Sequence, residues 1–303
     1  MLSTYNGQRY LKEQLKSLYN QKDVNLHILV RDDGSIDDTL KILKEYKEKH
    51  GRMTIYEDKN IGVVMSFHTL MSYAYRNFTN YDYYAFCDQD DFWMEDKLSI
   101  AVKMLANKES ALYYSNAYIT DSNLNIIEVK KPKYDLTPQY ILFRQPALGC
   151  TQVITKRFFK LCTEIFAEYK KHNPTLIELH DVWTIQLALF LGVDIIIDAT
   201  PHIMYRQHAN NVTSYKKEGI IGKVKRVSRR FNRYKGLGYE NIQILKKILH
   251  DKLTPESKEL FRRITTYKDS ILNTLSFALY MQKFFSSLSI KAMVIYKIIN
   301  RLY

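Results

Sequence analysis

Cysteine is scarce. Three residues, Cys87, Cys150 and Cys162, are too few and too far apart for a disulfide framework or a CxxC metal site. Buried thiols in a reducing compartment are the expectation. The opening MLSTYNG has no charged segment followed by an apolar one, so no secretory leader is visible and a cytoplasmic location is expected. A long apolar run is missing too: residues 275–303 are interrupted by Lys283, Lys291, Lys297 and Arg301, whereas a spanning helix needs about 20 mostly apolar residues. No transmembrane segment is expected. Acids are also few, 32 against 45 lysines and arginines, leaving a net charge of +13. Such a balance calls for an acidic partner: nucleic acid, an anionic membrane surface or a phosphorylated substrate. No nucleic-acid recognition motif is present, which sets that partner aside.

What is present is ordinary globular composition, 46% hydrophobic and 25% charged over 303 residues, enough for one large domain and an appendage. Up to about residue 200, short β-like runs (26–30, 54–56, 83–86, 112–115 and 195–197) alternate with helical patterns. That order predicts an α/β fold with a largely parallel sheet. Leu11, Leu15 and Leu18 recur at helical spacing. Ser35 and Asp38 resemble a capping box before a helix bearing Leu40, Leu43 and Tyr46. Composition changes near residue 214: residues 215–235 hold nine Lys or Arg against the single acid Glu218. The expected division is therefore 1–214, catalytic, and 215–303, basic and helical. In the second part Ile242, Leu245 and Leu249 share a face, and Thr254-Pro255 should open another helix.

Two acidic turns hold the chemistry. The run Tyr83-Tyr84-Ala85-Phe86-Cys87 ends abruptly in Asp88-Gln89-Asp90-Asp91. Crowded carboxylates repel, and a hard divalent cation bridging them to a substrate phosphate removes that cost. A solvated acidic turn before a helix N-terminus at Glu95-Asp96 accounts for the cluster equally well when it is taken alone. Arg31-Asp32-Asp33-Gly34-Ser35 follows another strand, so both turns should leave the same carboxyl edge, where ligands of open α/β sheets bind. A plain turn with a capping serine is the other reading of DDGS.

The segments STYNG, DDGS, NIGVVMSFH, FCDQDDFW, GCTQVITKRF, HDVW and YRQHANN occur in the order seen in family 2 glycosyltransferases. Together they resemble the rhamnosyltransferase-like bacterial branch. The resemblance spans residues 1 to about 214. It implies a GT-A fold, Rossmann-like with a mostly parallel mixed sheet, a nucleotide-diphosphate-sugar donor, Mn2+ or Mg2+, and single-displacement transfer with inversion. By position, Ser3 and Tyr5 would lie against the base, Asp33 with Asp32 beside it would bond base or ribose, and Asp88 would face the ribose. Asp90 would ligate the metal, and Asp91 would be a second ligand or a position-setter. Asp181 would be the catalytic base, although an aspartate there also suits a helix cap. His180 would be a positioner and His208 a metal or diphosphate contact. Arg206 could grip phosphate. Thr151, beside Cys150, matches the acceptor-side turn, Trp93 with Phe92 could wall a sugar face, and Asn60-Ile61-Gly62 resembles the donor-side turn. Core packing or an ordinary turn is the competing account of these last positions. Relatives usually have about four more β residues before LSTYNG, so either the start is misassigned or the first strand is shortened.

Residues 215–235 interleave their cations with Ile220, Ile221, Val224, Val227 and Phe231 at near-helical spacing, a basic amphipathic pattern suited to an anionic membrane surface and a lipid-linked saccharide acceptor. A solvated helix packed on the catalytic part is the alternative. Two rival functions stay open: a metal-dependent nucleotidyl- or phosphotransferase, and a non-catalytic nucleotide-sugar-binding protein.

Overall fold

The computed structural model describes residues 1–131, 136–143, 147–173, 179–208 and 239–300. Strands β1 (Leu2–Thr4), β2 (Ile28–Asp32) and β3 (Met53–Glu57) form a parallel sheet in the order β1-β2-β3. The second sheet holds β4 (Tyr83–Ala85), β5 (Phe92–Trp93), β6 (Ala111–Thr120), β7 (Ile126–Lys130), β8 (Val153–Thr155) and β9 (Asp194–Arg206), ordered β4-β8-β6-β9-β5 with β7 also on β6. A parallel bridge between Leu2 and Cys87, and a Cys87 N–H donated to Met1 O at 2.9 Å, join the two. The sheet is α/β and mixed as expected. Among the described residues, however, four of its seven strand pairs are antiparallel. The extra antiparallel pairs come from β5, β7 and β8. Strands of two to five residues give no usable periodicity, so sequence pattern overlooks them.

Helices α1 (Gln8–Tyr19), α2 (Thr39–His50), α3 (Gly62–Asn77), α4 (Lys97–Leu105), α6 (Lys156–His172) and α7 (His180–Leu191) cover the sheets, and α5 (Pro138–Ile141) is a single turn. Strand alternation divides the core. Along β6, Leu112 and Tyr114 join Phe67, Phe158 and Trp183 on one side, while Ala111, Tyr113 and Ala117 join Leu15, Leu43 and Trp93 on the other. Buried on both faces, β6 reads as an almost continuous apolar run.

The capping-box expectation is corrected. Helix α2 starts at Thr39 with Asp38 as its cap residue, and Ser35 instead donates its hydroxyl to Asp32 Oδ1 at 2.6 Å. The acidic turn satisfies itself before the helix begins.

Beyond the long undescribed stretch 209–238, which includes the basic segment 215–235, lie α8 (Tyr239–Leu249), α9 (Pro255–Thr266), α10 (Ile271–Met281) and α11 (Leu288–Ile299). Ile242, Leu245 and Leu249 are buried as their spacing requires, each burial worth about 2 kcal/mol. Thr254 Oγ1 accepts the Ser257 N–H at 3.1 Å ahead of Pro255, the anticipated cap. Phe261 meets Phe190 of α7 edge to face, with ring centroids 4.9 Å apart, so these helices share one core with α6 and α7. Among the described residues no helix is long and apolar enough to cross a membrane.

Candidate active site

Register sets the site. Thr4 pairs with Asp32, and Leu2 bridges Cys87, so the STYNG, DDGS and Asp88–Asp91 loops all leave one edge. Gln89, the one non-acid in its cluster, links two of them: its Oε1 accepts the Tyr5 N–H at 2.9 Å and its Nε2 donates to Tyr5 O at 3.1 Å. Gly7 makes room for this clamp, because a Cβ there would lie 2.2 Å from Gln89 Oε1.

Of the residues expected on the nucleotide side, Tyr5 is exposed, and the Ser3 hydroxyl pairs with Ser66 Oγ at 2.6 Å. Asp32 does not face outward. Its oxygens accept from Thr4 Oγ1 (2.9 Å), Ser35 Oγ and Ser35 N (2.8 Å), so it builds the turn rather than offering itself to a base. Asp33 is buried, pairs with Arg31, and accepts the Ile61 and Gly62 N–H groups at 2.8 and 2.9 Å. It thereby satisfies free N–H groups at the start of α3 and fixes the Asn60-Ile61-Gly62 turn.

In the acidic loop, His208 Nε2 lies 2.8 Å from Asp90 Oδ2, with the Tyr10 ring 4.8 Å from the imidazole. Asp91 is buried instead. Its Oδ1 accepts the Arg206 N–H at 3.1 Å, and its Oδ2 has no hydrogen bond. Burial, reinforced by the Asp90 charge, raises the Asp91 carboxyl well above the usual range. Asp88 is raised to about 7 by burial first, then by Asp90 and Asp181. The Cys150 sulfur lies within 4.8 Å of oxygens of both Asp88 and Asp91. Burial pushes its thiol up, so it stays neutral and is a poor ligand for a hard cation.

The phosphate-gripping expectation for Arg206 is not met. Its Nε donates to Asp90 O at 2.8 Å, its terminal nitrogens reach Ser122 O and Glu13, and the guanidinium lies 4.5 Å from the centre of the Tyr10 ring. Because β5 pairs antiparallel with β9, Arg206 at the end of β9 comes back beside the loop that precedes β5 and holds it. Trp93 is likewise no sugar wall. It is buried beneath the site, with the Lys97 ammonium 3.5 Å from the centre of its ring. Lys97 is itself fully buried, and its Nζ makes no hydrogen bond. Burial lowers it to about 8, with Cys150, Cys87 and Asp91 pulling the other way.

The fourth wall is α7, buried along most of its length, with Asp181 in its first turn. Asp181 lies near enough to raise Asp88 by its charge, and its Oδ1 accepts the Val182 N–H at 2.8 Å. Gln152 Nε2 donates to Asp181 O at 3.0 Å and its Oε1 accepts from the Thr184 hydroxyl at 2.6 Å, tying the helix to the 149–152 turn. At Gly149 a Cβ would sit 2.9 Å from both Asp181 Cβ and His180 Nε2, so glycine is what lets that turn approach. The Thr151 hydroxyl is used within the turn, donating to Leu148 O at 2.7 Å, and Cys150 faces the acids instead. His180 stacks on Phe67 with centroids 3.7 Å apart and meets Phe86 edge-on, without a hydrogen bond on either nitrogen. Burial holds it far below the usual histidine range, so it is a neutral packing element.

Sequence reasoning missed Lys97, the clamping role of Gln89 and the orientation of Cys150. Only Gln89 left a signal, as the single uncharged side chain inside an otherwise acidic run.

The Glycosyl transferase family 2 profile matches residues 1–165. The dTDP-rhamnosyl transferase RfbG of Shigella flexneri is 32% identical over 239 residues, 73% of this chain and 78% of that protein. An Escherichia coli glucosyltransferase, WfgD, named for UDP-Glc and α-D-GlcNAc-diphosphoundecaprenol, is 25% identical over 157 residues, 52% of this chain and 59% of its own length. The fold is similar to that of Staphylococcus aureus TarS residues 1–349, solved with UDP-GlcNAc, at a TM-score of 0.55 and 16% identity, covering 93% of this chain and 79% of that one. With its ordered motifs gathered at one sheet edge in a GT-A-like fold, the chain belongs to glycosyl transferase family 2.

Proposed function

We propose that this glycosyltransferase moves a sugar from a dTDP- or UDP-linked donor to a lipid-linked saccharide acceptor, with inversion, in bacterial surface polysaccharide synthesis. One observation carries the reading: the 149–152 turn packs Gly149 against Asp181 while the next residue, Cys150, lies within 4.8 Å of oxygens of Asp88 and Asp91, so Asp181 and the acidic loop border one space. A general base and a diphosphate site on opposite sides of one small space are what a single displacement needs. The acceptor hydroxyl oxygen attacks the anomeric carbon and gives its proton to Asp181. The carbon–oxygen bond to the diphosphate breaks, and its electron pair leaves with the phosphate oxygen.

The donor set fits a divalent cation. Asp90 and His208 offer an oxygen and a nitrogen 2.8 Å apart, and the Asp88 and Asp91 carboxyls beside them are raised first by burial and then by the crowding of the acids. When bound, Mn2+ or Mg2+ supplies positive charge to the leaving diphosphate. Asp91 and Arg206 position Asp90, while Tyr5, Ser3 and Asp33 border the nucleotide. The catalytic part is taken as 1–214 and the basic helical part as 215–303, held on the inner face of the cytoplasmic membrane.

Replacing Asp181 with Asn should leave nucleotide binding intact and abolish transfer, and transfer near the wild-type rate would remove the base assignment. A nucleotide-sugar panel, with and without a chelator, tests donor and metal; turnover unaffected by the chelator would exclude the cation. Charge reversal at Arg226, Arg229 and Arg230 should weaken binding to anionic vesicles at low salt, and unchanged binding would count against that segment.

A further inference from the structure

Helices α10 and α11 point apolar side chains outward as well as inward. Phe277, Met281, Val294 and Ile298 are buried. On the other side of α10, Ile271, Leu272, Leu275 and Leu279 form an exposed stripe that Leu288 and Ile299 extend onto α11, with Leu272 and Leu288 78% and 82% exposed. Scattered exposed leucines are ordinary, but a stripe along two adjoining helices is not.

Charge indicates what covers it. From Ser270 to Tyr303 there is no Asp or Glu; of the cations there, Lys283 is exposed and Lys291 half-buried, while Lys297 is buried and Arg301 lies outside the described residues. Two copies meeting through this face would bring Lys283 and Lys291 of each together with no acid from these helices between them. An anionic lipid surface accepts both the apolar stripe and the cations.

The hairpin also adjoins the site's acceptor side. Gln139 Nε2 donates to Tyr280 Oη, and Phe285 packs on the Tyr140 and Phe143 rings, 5.9 Å from each. These contacts tie it to α5, which packs on α7, the helix that carries Asp181.

We infer that the α10–α11 hairpin is a membrane-embedding element. Its outward leucines enter the headgroup and upper acyl region of an anionic leaflet and turn the Asp181 side of the cleft toward the lipid. The orientation rests on the acceptor being lipid-linked; the embedding does not.

The test uses the full chain and vesicles of phosphatidylcholine with and without phosphatidylglycerol, free of acceptor and donor. Wild type should float with the anionic vesicles and keep part of that binding at high salt, as apolar insertion does. The combined variant Leu272→Glu, Leu279→Glu, Leu288→Glu alters only exposed positions. It should lose partitioning about a hundredfold while melting like wild type. A tryptophan placed at Leu275 should shift its emission to the blue on binding and be quenched by brominated lipid. Flotation of the triple variant equal to wild type, or an unquenched tryptophan, would overturn the inference. So would a wild-type dimer in light scattering that the variant abolishes with vesicle binding unchanged. Donor hydrolysis, measured without vesicles, reports on the enzymatic reading separately and should be equal in both proteins.

Discussion

At the scale of single residues, the site is held by side chains that would not touch substrate. Arg206 is the clearest. A phosphate-binding arginine and a loop-holding one make different predictions on substitution. Arg206→Gln should cost about 2–4 kcal/mol of stability, because the Asp90 and Ser122 carbonyls lose their donors, and should weaken metal binding through the displaced loop. Thermal melts and a metal titration check this; unchanged stability with only a raised donor KM would restore the phosphate role. The acids make a second prediction. In the unfolded chain Asp88 releases its proton near pH 4, roughly the ordinary aspartate value, whereas in the metal-free fold it holds it up to about 7. Between those limits the native state binds more protons than the unfolded one, so Asp88 lowers stability as pH rises. Melting temperatures of the metal-free protein across that window should show a shallower fall in Asp88→Asn. The rise in melting temperature on adding Mn2+ should grow as pH climbs through about 7, since the ionised Asp88 then adds negative charge beside Asp90 that the cation offsets.

At the scale of elements, strong periodicity was legible and short pairing was not. Leu11, Leu15 and Leu18, and later Ile242, Leu245 and Leu249, mark buried helix faces because 3.6-residue spacing repeats over whole turns. Thr254-Pro255 announced α9 by local chemistry alone. Thr254→Ala should therefore destabilise by about 1 kcal/mol in chemical denaturation, with little change in activity. Strands β5, β7 and β8 exist through tertiary pairing, and β9, 13 residues long, carries a bulge near Asp198–Pro201 that no local pattern announces. The site's residue types were legible for the same local reason. Their partners were not: nothing near Asp32 or Arg206 in the chain says that Thr4 or Asp90 will occupy them.

At the scale of the whole molecule, excess positive charge and an acid-free C-terminal end predict binding that weakens with salt but persists in part, the division between coulombic and apolar attachment described for the hairpin. The shared core has its own outcome. Leu245, Leu260, Phe261 and Ile264 are fully buried, several against α6 and α7. Cutting the chain after residue 214 should leave apolar faces of both helices in water, and a soluble fragment with a cooperative melt would contradict that packing. Residues 1–214 are therefore not a portable cassette. A chimera that exchanges C-terminal helices between relatives must carry matching outer faces of α6 and α7 with them.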